Sequence, residues 1–103
     1  MNTTIVIFRW ERESGVFALF PELPTDNYGV YCTAYQHIGQ HGSADYALCI
    51  AHSRPAKPAE YADLRDELEQ RGYILAIHQR ATPVMHERRR WSAHLRPRAT
   101  ACR

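Results

Sequence analysis

A chain of 103 residues has room for one hydrophobic core and is too short for two. Its apolar share of 45% and charged share of 23% are ordinary globular values, which excludes a disordered chain, and no stretch approaches the roughly 20 apolar residues of a membrane helix. The net charge of +2 conceals a split: residues 83–103 carry six arginines against one glutamate, whereas residues 1–82 hold seven basic and ten acidic side chains, so an acidic body precedes a basic tail.

In chain order, Ile5–Trp10 and Val16–Phe20 flank a polar five-residue link ending in Gly15, which predicts a β-hairpin whose strands are apolar on both faces. Pro21 and Pro24 are expected to stop the second strand, because proline cannot donate to a ladder. Asp26, Asn27 and Gly29 make a turn, and the alternation in Val30–Gln36 predicts a third strand. The polar, glycine-punctuated stretch from Tyr35 to Asp45, YQHIGQHGSAD, reads as a loop leading to a fourth strand over Tyr46–His52. Pro58 suits a first helical turn, and Tyr61, Leu64 and Leu68 recur at i, i+3 and i+7 opposite a row of carboxylates, so an amphipathic helix is expected from Pro58 to Arg71, with Gly72 just beyond its end. Tyr73–Gln79 is a last strand. Beyond it two readings stay open: a disordered tail, or a second helix opened by Thr82 and Pro83 and running to about Leu95, with Val84, Arg88, Trp91 and Leu95 on one stripe and Pro97 as its limit.

The expected architecture is therefore α+β: a two-layer, mostly antiparallel sheet of four or five strands in ββββαβ order, with one amphipathic helix packed on it. Residues 1–82 form the domain, and residues 83–103 form a basic C-terminal extension. One helix cannot cover both sheet faces, so the reverse face is expected to stay open and expose aromatic side chains.

The motifs IVIFRW, ALFPE, YQHIGQHGSADY and RPAKPAEYADLRDELEQRGY, in this order over about Thr3–Arg80, resemble the signature of a family of small uncharacterised bacterial proteins found in genomes and mobile elements. The resemblance implies the same sheet-and-helix domain and carries no activity with it. The arginine-rich stretch after Thr82 lies outside that pattern.

Chemistry is most concentrated in the Tyr35–Asp45 stretch, because function gathers on polar loops held by a rigid scaffold. Cys32, His37, His41 and Asp45 are all zinc-type ligands, but Gly39 and Gly42 disfavour the helix that would align the two histidines, and no second pair completes the set. His37 or His41 with Ser43 and Asp45 supplies the residue types of a hydrolytic triad, but residues so close in sequence rarely converge around a free oxyanion site. Neither a cofactor nor catalysis is expected. Cys32, Cys49 and Cys102 contain no C-x-x-C pair and read as free thiols of a cytoplasmic protein, a Cys32–Cys49 bridge between neighbouring strands being the alternative. The opening MNTTIVIF lacks a basic flank, and its apolar run is too brief for a signal peptide.

Two binding readings remain. The first is a protein-binding adaptor or inhibitor-like domain, monomeric or homodimeric, that uses the open sheet face and a contact loop of His37, Gln40, His41 and Asp45, with Arg88–Trp91 as an accessory contact surface. The second is nucleic-acid binding through the tail, where Arg88, Arg89 and Arg90 would neutralise phosphates and Trp91 would stack on a base. The carboxylates of the body oppose that second reading.

Overall fold

The computed structural model describes residues 3–36 and 40–95. Strands β1 (Thr4–Glu11) and β2 (Gly15–Pro24) pair antiparallel, with Glu11 opposite Gly15 and Ile7 opposite Leu19. Gly15 holds φ at +79°, a region that side chains with a Cβ avoid. Glu11 Oε1 closes the turn by accepting from the N–H (2.9 Å) and hydroxyl (2.6 Å) of Ser14.

Contrary to the expected stop at Pro21, β2 continues to Pro24. The ladder accommodates both prolines by shifting register: Phe20 lies opposite Thr33 of β3 (Cys32–Gln36), yet Pro24 lies opposite Cys32. The strand expected from Val30 begins at Cys32, because the backbone before it is held in a turn. There, carboxylate oxygens of Asp26 accept from the N–H groups of Tyr28, Val30 and Tyr31.

The next segment is the largest departure from expectation. Part of the presumed loop is a strand, β4 (Gln40–Ala44), pairing back on β3 with His41 opposite Tyr35 and Ala44 opposite Cys32. The presumed fourth strand, Tyr46–His52, is instead a short helix, α1 (Tyr46–Ala51). Asp45 caps it by accepting from Leu48 N–H at 3.2 Å. Helical spacing puts Tyr46, Cys49 and Ile50 together against the sheet, whereas a strand would divide them between two faces.

The remaining elements are β5 (Arg54–Pro55), α2 (Pro58–Gln70), β6 (Leu75–His78) and α3 (Pro83–Leu95). Helix α2 matches its expected span. Glu60 accepts from Lys57 N–H at 2.8 Å and receives both terminal nitrogens of Arg54, at 2.9 and 2.7 Å. Gly72 follows the helix at φ +102°.

The result is an α+β fold on a six-stranded, mostly antiparallel sheet ordered β4-β3-β2-β1-β5. Strand β6 runs parallel to β1, beside its Thr4–Ile7 half. Alternation along the central strands creates two apolar clusters. On one face Val6, Phe8, Ala18, Phe20 and Tyr35 pack under Leu64 and Leu68 of α2, with the Tyr61 ring stacked on Phe8 at 4.3 Å. On the other face Ile7, Phe17, Leu19, Cys32 and Ala44 pack under α1. Helix α3 joins that side, with His86 edge-on to Tyr46 at 4.9 Å. The expected open reverse face is thus covered by α1 and α3, and the extension beginning at residue 83 is an integral helix as far as Leu95.

Candidate binding surface

Thr82 Oγ1 accepts from Met85 N–H at 3.3 Å at the start of α3, and Pro83 occupies the first turn, where no donor is needed. The face turned to the sheet consists of Met85, Arg89 and Ala93, four residues apart. Arg89 is only 5% exposed, and its charge is met by backbone oxygen: Nε donates to Gly29 C=O at 2.8 Å and Nη1 to Pro21 C=O at 2.9 Å. Nη1 also lies 2.8 Å from Nδ1 of His86. Burial, followed by the repulsion of Arg89 and Arg90, pushes the His86 pKa below its ordinary value.

Because that spacing points inward, the stripe Val84, Arg88, Trp91 and Leu95 points outward. Trp91 is 65% and Leu95 63% exposed, and the Trp91 ring lies 6.1 Å from that of His94. The Asp26-held turn extends this surface. Gly29 has φ +73°, and a Cβ there would come within 2.6 Å of Arg90 Cα, so only glycine lets the turn lie against α3. Tyr28 and Val30, both exposed, flank that contact. Arg88 reaches Glu22 only at 3.5 Å, in an exposed pair that does little to hold its guanidinium.

The residues singled out in the sequence are dispersed by the fold. Cys32 is buried in the cluster under α1, whereas His41 lies on the opposite sheet face, edge-on to Tyr35 at 4.6 Å and 3.0 Å from Tyr73 Oη. Those two cannot share a metal ion, which corrects the four-ligand set, and among the described residues no group of three ligating side chains is gathered. Asp45 is engaged as the α1 cap, and Ser43 Oγ lies 2.5 Å from Thr25 Oγ1. His37 lies outside the described residues, and of Gln40 only the strand backbone is described. In the tail set, Arg88, Arg90 and Trp91 are exposed, but Arg89 is withdrawn from any phosphate by its carbonyl contacts.

Beside α1 the sheet leaves a groove of about 480 Å³, floored by Phe17, Ala34 and Gly42 and walled by Leu48, Cys49 and His52. Its thiol is a poor nucleophile, because burial raises the Cys49 pKa. Burial likewise pushes Cys32 up to about 11. Both are free, and the alternative Cys32–Cys49 bridge is absent. Tyr28 lies in the turn expected at Asp26, Asn27 and Gly29, whereas Val30, expected to open a strand, is exposed because Asp26 holds its N–H in that turn.

These features define a small α+β domain with an arginine- and tryptophan-bearing helix face beside an aromatic turn. Comparison with protein-family models, curated proteins and solved structures finds no match. No helix among the described residues is long and apolar enough to cross a membrane.

Proposed function

We propose that this chain is a cytoplasmic, non-enzymatic protein-binding domain whose contact surface is the outer face of α3 with the Tyr28–Val30 turn. One observation carries the reading: α3 buries Met85, Arg89 and Ala93 and leaves its tryptophan-bearing stripe in water. Tryptophan, tyrosine and arginine are the side chains that dominate binding energy at protein interfaces. The partner surface is apolar at its centre, to receive Trp91 and Leu95, and acidic at its rim, to meet Arg88 and Arg90. This reading replaces the contact loop of His37, Gln40, His41 and Asp45, because His41 and Asp45 support the fold.

The exposed Arg88, Arg90 and Trp91 also favour single-stranded nucleic acid as the second reading. The test is affinity capture with the full chain, its Trp91→Ala variant and an Arg88→Glu/Arg90→Glu variant, each with and without nuclease. The protein reading expects a partner that survives nuclease and is lost with Trp91→Ala. Release by nuclease, together with oligonucleotide affinity that falls steeply with salt, would establish the second reading instead.

A further inference from the structure

We propose that the outer edge of β6 is a homodimer interface, on which the β6 of a second copy pairs antiparallel about a two-fold axis at Ile77. The argument begins with backbone direction. Thr4 N–H donates to Ile74 C=O at 2.7 Å, and in the parallel ladder Thr4 lies beside Leu75 and Val6 beside Ile77. Parallel pairing then turns the peptide groups of Ala76 and His78 toward β1, and those of Leu75 and Ile77 away from it. Among the described residues no strand pairs with that outer side.

Edges left open in monomers are usually blunted by charge, proline or a bulge. Tyr73–Gln79, YILAIHQ, has no lysine, arginine, carboxylate or proline, and its ladder to β1 is regular. Ile74 is 42% and Ile77 40% exposed, so apolar side chains flank the open edge. The opposite edge strand, β4, is QHGSA, short on apolar residues and broken by glycine.

The proposed occupant is a second copy, because the self-pairing register meets no conflict of charge. With Ile77 on the axis, Ile77 exchanges two backbone hydrogen bonds with its counterpart, and the outward-facing Leu75 falls opposite Gln79. Ala76 then meets His78, and Arg80 falls opposite Ile74. No position places like charges face to face, which satisfies the self-complementarity an isologous interface requires. Two six-stranded sheets would join into one. A strand pair this short buries less than the roughly 1,200 Å² of a standard interface, so the dimer is expected to dissociate on dilution. The inference is independent of the α3 surface.

The test is sedimentation equilibrium of the full chain over a wide concentration range, with amide exchange measured in parallel. The expected result is a mass rising from 11.9 kDa toward twice that value. Leu75 and Ile77 amides should gain protection with concentration, while Ala76 and His78, already bonded to β1, should not change. Ile77→Lys places like charges on the axis, and Ile77→Pro removes a donor that makes no bond to β1; both should sediment as monomers with the wild-type circular dichroism spectrum. If the proline variant fails to fold, the lysine variant alone decides. A wild-type chain still monomeric at about 1 mM overturns the proposal. So does a dimer that survives Ile77→Lys, or one abolished by Trp91→Ala.

Discussion

At the scale of single residues, the determining group is Arg89, which spends its charge on two backbone carbonyls. Arg89→Met keeps much of the volume but leaves the Gly29 and Pro21 oxygens without their donor, and should cost about 2–3 kcal/mol in urea unfolding. Trp91→Ala, in open water, should change stability by less than about 0.5 kcal/mol, so the two substitutions separate folding from binding on one helix. His86 supplies a pH dependence. Its folded pKa lies below the ordinary 6.5, so below that pH the unfolded chain takes up more protons and the native state loses stability until the folded pKa is passed. His86→Phe, which keeps a ring against Tyr46, should remove that part of the acid slope, as read by urea unfolding at stepped pH. A second loss follows at lower pH, as Glu60, held at about 2 chiefly by Arg54, is protonated. Cys32, buried and with its pKa raised to about 11, should resist a thiol reagent until the protein unfolds.

At the scale of elements, helix α2 was legible because every local signal agreed: Pro58 at its start, apolar residues at i, i+3 and i+7, and Gly72 at its end. Leu68→Ala should therefore cost about 2–5 kcal/mol, measured by chemical denaturation, since that side chain is wholly buried beneath the helix. Helix α1 reads as a strand in the sequence because YALCIAH alternates in size, and its six residues are too few for periodicity to decide. The discriminating signal was Asp45 immediately before it, a capping residue rather than a loop ligand. Helix α3 stays open in the sequence, helix or disordered tail, and although its Val84, Arg88, Trp91 and Leu95 stripe is legible there, its outward orientation is not, because Met85, Arg89 and Ala93 only become an inward face once Gly29 and Pro21 supply partners for a buried guanidinium. Gly29→Ala combines a left-handed φ with a 2.6 Å clash against α3, and should cost about 1–3 kcal/mol while loosening the helix, visible as faster amide exchange over Pro83–Leu95.

At the scale of the whole molecule, the sheet-and-helix class followed from alternating strands and one strong helix, whereas the coverage of each face depended on tertiary contacts. Helix α3 shields apolar side chains beside β2, so a chain ending at Thr82 should bind a hydrophobic dye and melt earlier than the full protein, rather than behave as an independent domain with its tail removed. The acidic and basic halves are likewise brought into one body by that packing, which leaves Arg88 and Arg90 exposed on the outer face of α3.

The position of β1 has a consequence for biosynthesis. This strand pairs with β2 on one side and with β5 and β6 on the other, and the partner of its Thr4–Ile7 half, β6, lies 71 residues downstream, from Thr4 to Leu75. During translation the emerging hairpin must wait with the Thr4–Ile7 part of that flank bare until His78 has cleared the exit tunnel. Nascent chains arrested with His78 still inside should be cut by protease within β1, and those carrying a C-terminal linker long enough to hold His78 outside should be spared.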